Sequence, residues 1–176
     1  MTRVKKRTEM PEAPRGEGAL MTIPDDNEVI EAIIHASRAM VGIAVRSLTE
    51  TGEAVTLPQY RTLVELTFGG PRRLADLAEA LSVSPSTATR MCDRLVRKRL
   101  INRRRDVVDR RVVLLDLSAS GRRLVDRVTE RRRQEIGRIL EAVDPAEHGA
   151  LVRAFTSFGQ AAGEVPEDGW KRSWEL

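Results

Sequence analysis

Cysteine is nearly absent: Cys92 is the only one in 176 residues, so no intrachain disulfide can form. Two histidines beside it cannot complete the Cys/His set of a usual structural zinc site. An enzyme would need a nucleophile, a base and a group to orient it. His35 and His148, however, fall in helical contexts with no catalytic motif around them. Long apolar runs are missing too. No segment approaches the ~20 residues of a transmembrane helix, and the start, MTRVKKRTEMPEAPRGEGAL, is basic but has no apolar stretch of signal-peptide length. These absences imply a soluble protein of a reducing, cytoplasmic compartment, without cofactor or metal and without a membrane partner.

What is present is charge, unevenly placed. The net value is only +4 with 32% charged residues, yet residues 90–133 hold sixteen Lys or Arg, fifteen of them Arg, against six Asp or Glu. The rest of the chain is therefore acidic. A cationic field on part of an acidic protein is the footprint for a polyanion, nucleic acid first and a membrane surface second. Arginine in particular suits bidentate contacts to phosphate and guanine.

The chain has room for one domain with tails. Residues 1–24, rich in Pro, Gly and charge, read as a disordered basic arm, and residues 164–176 as a C-terminal tail. Between them, residues 25–163 show mainly helical periodicity. A long amphipathic helix spans about 28–49, with Val29, Ile30, Ile33, Ile34, Val41 and Leu48 on its apolar side. A second helix opens at Pro58. Leu74, Leu77, Ala78 and Leu81 then mark a short helix, SVS breaks it, and Ser84-Pro85 supplies the cap and first-turn proline of another. Two short helices across a tight turn form a helix-turn-helix, with Ala78 small where the helices cross and Ser82 standing where glycine is usual. After Leu100 the period falls to two: LINRRR and RVVLLDL read as paired strands joined by DVVDRR. A long charged helix and a last helix capped at Asp144-Pro145 complete the order.

On the helix after Ser84, the residues Ala88, Met91, Cys92 and Leu95 fall on an inward face, and Ser86, Thr87, Thr89, Arg90, Arg94 and Arg97 on an outward one. Small hydroxyl donors followed by cations is the division a DNA recognition helix needs: its N-terminal side chains approach base edges, and those further along hold phosphates. Arg131, Arg132 and Arg133 point three ways on a long helix and read as solvated or paired with Asp126 or Glu135 at helical spacing.

Residues 74–121 resemble the winged helix-turn-helix of the MarR family, whose wing closes on an Asp-x-Arg pattern followed by aliphatic residues, Leu-Thr and a glycine. Here it stands as DRRVVLLDLSASG, Asp109 to Gly121, with Ser118 in place of threonine. The helix order extends the resemblance over about residues 28–162. A further departure is Arg99, where relatives often carry glycine before the first wing strand.

The resemblance implies a mainly α fold with a small β-hairpin wing: a winged helix-turn-helix over about 57–118, flanked by N- and C-terminal dimerisation helices over about 28–49 and 119–162. It implies a homodimer that represses transcription from a palindromic operator in double-stranded DNA, with half-sites on the order of 34 Å apart. It makes Arg111 the wing arginine of the minor groove, Arg110 its neighbour on the backbone, Asp109 and Asp93 the acids that orient it, and Arg90 a reader of bases, with Ser84 capping the recognition helix beside them. It also implies release by a small aromatic or phenolic effector, for which His35, Arg38, Arg46, Tyr60 and Arg61 are the polar candidates. Two other readings stand beside it: a winged-helix module that binds protein, and a redox-sensing regulator using Cys92, whose inward position makes the thiol inert.

Overall fold

Residues 24–164 are described in the computed structural model of the chain. The expected basic arm lies outside them except for Pro24, and the expected tail except for Glu164. The elements run α1 (Asp26–Thr49), α2 (Leu57–Gly69), β1 (Arg72–Arg73), α3 (Leu74–Ala80), α4 (Pro85–Arg97), β2 (Ile101–Arg105), β3 (Val113–Leu117), α5 (Ala119–Leu140), a 3-10 turn (Pro145–Glu147) and α6 (His148–Ala161). The fold is mostly helical with a small antiparallel sheet, as the sequence implies.

The chain divides into two units, residues 1–36 and 37–176. In the first, α1 begins with a reciprocal cap: the Glu28 amide donates to the Asp25 carboxylate at 2.8 Å and the Asp25 amide to the Glu28 carboxylate at 3.3 Å. Val29, Ile30, Ile33 and Ile34 on this part of the helix are exposed.

In the second unit the core lies where α2, α4, α5 and the sheet meet. Leu63, Leu77, Cys92, Leu95, Ile101, Leu124 and Val128 are almost wholly buried. The inward face expected for α4 is found there, with Ala88, Cys92 and Leu95 fully enclosed and Met91 half-buried. The two wing strands pair from Ile101 opposite Leu117 to Arg105 opposite Val113. β3 also pairs on its other edge with β1, Arg72 opposite Leu115, giving the order β1-β3-β2. This third strand is not among the elements expected from the sequence. Two residues are too few to show an alternation.

Ser82 and Arg99, the residues standing where glycine is usual, both adopt left-handed backbone, with φ of 52° and 58°. At the second, the Leu100 amide donates to the Leu95 carbonyl and the Arg99 amide to that of Val96, the closing motif that ends α4. Ser118 caps α5: its hydroxyl accepts from the Gly121 amide at 3.0 Å and donates to the Arg99 carbonyl at 2.7 Å. Gly121 itself is pressed against the Leu100 carbonyl, and a Cβ there would collide with that oxygen and with the Leu117 side chain. α6, by contrast, has no buried residue, and Val152, Phe155 and Phe158 on it are exposed.

Two predictions follow from this packing. Gly121→Ala should lose about 3 kcal/mol in urea unfolding, the upper end for overpacking, because backbone rather than a flexible side chain blocks the methyl. Ser82→Gly should gain about 0.5–1 kcal/mol, the left-handed penalty removed less the entropy glycine adds to the unfolded chain. Burial pushes the Cys92 thiol from 9.0 up to about 11, outweighing the lowering by Arg103. The folded state thus disfavours the thiolate, so the contribution to stability is full below the unfolded value and disappears as pH rises from 9.0 to about 11. Unfolding curves across that window should show a decline in the unmodified protein that Cys92→Ala lacks, and a thiol reagent at neutral pH should label Cys92 only on unfolding.

Candidate nucleic-acid interface

Helix α4 is closed at its N-terminus by the Ser84 side chain and at its C-terminus by the backbone motif at Arg99. At the N-terminus the Ser84 hydroxyl accepts from the Thr87 amide at 3.2 Å and donates to the Thr87 hydroxyl at 2.9 Å. Ser86 lies 3.1 Å from Ser84, oxygen to oxygen. The Thr89 hydroxyl donates to the Pro85 carbonyl at 2.8 Å. Of the four small hydroxyls expected to face an anion, Ser84 and Thr89 therefore use their protons within the helix. Arg90, Arg94 and Arg97 are exposed, and none of them forms an ion pair among the described residues.

The wing carries its cations on β2 and the loop to β3. Asp109 holds this loop, but through backbone: its carboxylate accepts from the Arg111 amide at 2.9 Å. Asp93, expected to serve the wing arginine, instead pairs with Arg103 on β2 and so ties the wing to α4. Helical spacing puts Asp93 on the flank of α4 that meets the first wing strand, a neighbour the sequence does not specify. Arg104 pairs with Asp116 across the ladder at 3.4 Å. Arg105, Arg110 and Arg111 are exposed and free of ion pairs among the described residues.

Two arginines of the α5 triplet, Arg131 and Arg132, depart from the solvation or helical pairing expected of them. Arg131 reaches Glu50 at 2.6 Å, and Arg127 reaches Glu53 at 3.5 Å. Glu135 pairs with Arg46 of α1. The acids that Arg127 and Arg131 meet lie just past the end of α1, where tertiary packing rather than helical spacing brings them.

Arg132 is half-buried and forms no ion pair among the described residues. It stands 5.3 Å over the Tyr60 ring, a cation–π distance, and its Nε is buried without a hydrogen-bond partner among the described residues. Both residues line a cleft of about 710 Å³ walled by α1, α2, α4 and α5. Val41, Ala44, Val64, Met91 and Ile136 make it predominantly apolar. Of the five polar candidates, Tyr60 and Arg61 line it; His35, Arg38 and Arg46 do not. Arg46 is held by Glu135, and His35 and Arg38 are exposed on α1. Arg61 lies at the rim, 3.2 Å from Glu164. Arg132 was legible in principle, since it continues the buried row Leu124, Val125, Val128 at helical spacing.

The sequence profile of the MarR family matches residues 55–113, which covers α2, the helix-turn-helix and most of the wing. The repressor MdtR of Bacillus subtilis, an HTH-type transcriptional regulator, is 31% identical over 120 residues, 68% of this chain and 77% of its own. The crystal structure of RV1404 from Mycobacterium tuberculosis is 46% identical with a TM-score of 0.75, over 82% of this chain and 99% of that one. BpsR of Bordetella bronchiseptica, whose DNA binding is regulated by 6-hydroxynicotinic acid, is 25% identical with a TM-score of 0.55, over 74% and 92%. Fold, motif and relatives agree, and the chain belongs to the MarR family of winged helix-turn-helix transcriptional regulators.

Proposed function

We propose that this chain is a sequence-specific double-stranded DNA-binding repressor that acts as a homodimer on a palindromic operator and responds to a small effector. The observation that carries the reading is the contrast among its arginines. Arg103 and Arg104 of β2 and Arg127 and Arg131 of α5 are matched with acids, whereas Arg90, Arg94, Arg97, Arg110 and Arg111, on α4 and the wing loop, have no such partner among the described residues. Unpaired guanidiniums on one helix and an adjoining hairpin suit a polyanion read in two neighbouring grooves. In this reading Ser86, Thr87 and Arg90 approach base edges in the major groove. Arg94 and Arg97 hold phosphates, with Ser84 and Thr89 shaping the helix start. Arg111 enters the minor groove, where narrow walls focus negative potential, and Arg110 lies on the backbone beside it. Such a regulator works in the cytoplasm, on the nucleoid.

The winged helix-turn-helix over about 57–118 is then the reading module, and the flanking helices join two copies. Support comes from apolar side chains with nothing over them: Val29, Ile30 and Ile33 on the first part of α1, and Val152, Phe155 and Phe158 on α6. The effector reading rests on the cleft. An aromatic or phenolic molecule would find apolar walls, the Tyr60 ring and the buried Nε of Arg132. The regulation of BpsR by 6-hydroxynicotinic acid is a precedent of that chemical class.

Competition binding against single-base variants of an operator at fixed salt tests the DNA reading. Arg90→Ala should cost about 1–3 kcal/mol and relax preference at one position. Arg111→Ala should weaken binding with less effect on base choice, most where the flanks are A·T-rich. An Arg90→Ala protein with full affinity and selectivity would show that α4 is not the reading helix. For the pairing, light scattering should give twice the chain mass at micromolar concentration, and Phe155→Glu should shift the protein toward monomer; a monomeric unmodified chain would sink the two-lobed arrangement.

A further inference from the structure

Between β2 and β3 the chain reads Asp106, Val107, Val108, Asp109, Arg110, Arg111, Val112. Val107 and Val108 are 85% and 95% exposed, above every other large hydrophobic side chain among the described residues. The exposed side chains of α1 and α6 sit on long apolar faces, but these two stand alone at the end of a hairpin.

Their presentation is built rather than loose. The Asp106 carboxylate accepts from the Val108 amide at 2.7 Å, and the Asp109 carboxylate from the Arg111 amide at 2.9 Å. Backbone bonds from the Asp106 amide to the Val112 carbonyl and from the Val112 amide to the Asp109 carbonyl, both 2.9 Å, close the loop beneath them. The two aspartates supply the turn chemistry that such loops usually draw from Asn, Asp, Ser or Gly. The positions between them are free to take any polar residue, and a solvated tip gains nothing from valine. A β-branched side chain on a fixed loop has one practical merit: its χ1 is already stiff, so contact costs little rotamer entropy.

We infer that Val107 and Val108 form an apolar DNA contact, packed against the deoxyribose walls of the minor groove beside Arg110 and Arg111. The inference rests on the DNA reading above. Charge identifies the occupant: from Arg103 to Arg111 the segment holds five arginines against two aspartates, and three of the five, Arg105, Arg110 and Arg111, form no ion pair among the described residues. The Asp93–Arg103 pair couples this wing to α4, so a duplex seated on α4 meets the wing at the adjacent groove. The walls of a minor groove are sugar C–H surface, and a short, branched side chain can lie along them without prying bases apart, as longer apolar wedges do.

Salt separates this contact from the arginines. Apolar packing displaces water but releases no counterions, so it shifts affinity without altering the slope of log K against log salt. The probe is the duplex that the full-length protein enriches from a random-sequence pool, titrated by fluorescence anisotropy between about 50 and 200 mM salt. Val107→Ser with Val108→Ser should bind about ten-fold more weakly at every salt concentration, the loss expected for two partly buried valines, with the slope unchanged. Arg111→Ala should instead flatten the slope by about one. Thermal unfolding of the serine variant should match the unmodified protein, because neither side chain touches the core. Wild-type affinity in the serine variant overturns the inference. So does a loss accompanied by a flatter slope, which would mean that the loop's arginines had been displaced. If the unmodified protein enriches no duplex, the DNA reading itself fails and the inference falls with it.

Discussion

The carbonyl oxygen of Leu100 is the point about which the reading half of the molecule is arranged. It accepts from the Ser118 amide at 3.1 Å and lies against Gly121, while the Ser118 hydroxyl bridges the Arg99 carbonyl and the Gly121 amide. Four elements end or begin within these few residues: α4 stops, β2 starts, β3 stops and α5 starts. Their mutual placement is therefore set by neutral, largely buried hydrogen bonds and by a glycine that nothing larger can replace. Such bonds do not weaken with ionic strength as surface ion pairs do. The placement of α4 against the two wing strands thus rests mainly on bonds that salt does not screen, and the exposed Asp93–Arg103 pair adds a tie that it does. Serine serves this junction in place of threonine because the work falls on the hydroxyl.

A second constraint is electrostatic. A net charge of +4 hides an arrangement in which acids are assigned to some arginines and withheld from others. Glu50, Glu53 and Glu135 neutralise the α5 side, and Asp93 and Asp116 fix the two arginines nearest the base of the wing. Each exposed pair contributes little to stability. Their effect is to neutralise Arg103, Arg104, Arg127 and Arg131, while α4 and the wing loop keep arginines without an acid partner among the described residues.

Much of this was legible in the sequence because it follows from local rules. Caps, a first-turn proline and apolar spacing located α3 and α4, and the drop to a period of two located β2 and β3. Even the left-handed backbone at Ser82 and Arg99 could be expected from where glycine usually stands. What escaped depended on packing. β1 has two residues and exists only because β3 offers it an edge. Asp93 was assigned to the wing arginine on a family pattern, while the structure gives it Arg103. The cleft kept Tyr60 and Arg61 but not His35, Arg38 or Arg46, and it added Arg132, whose role depends on a ring more than seventy residues earlier in the chain. Spacing along one helix says which residues share a face; it does not say what that face will meet.

The way α4 is held has a consequence for descent with modification. Its ends are fixed by Ser84 and by the turn at Arg99, and its inward face by Ala88, Cys92 and Leu95. The exposed arginines of the outward face make no ion pair among the described residues, and substitutions at such positions usually alter stability by no more than about 0.5 kcal/mol. Arg90, Arg94 and Arg97 can therefore be exchanged without disturbing the frame that presents them. On the proposed reading the helix is a replaceable key on a fixed shank: new target preferences can arise through single changes, with no intermediate that has lost its fold.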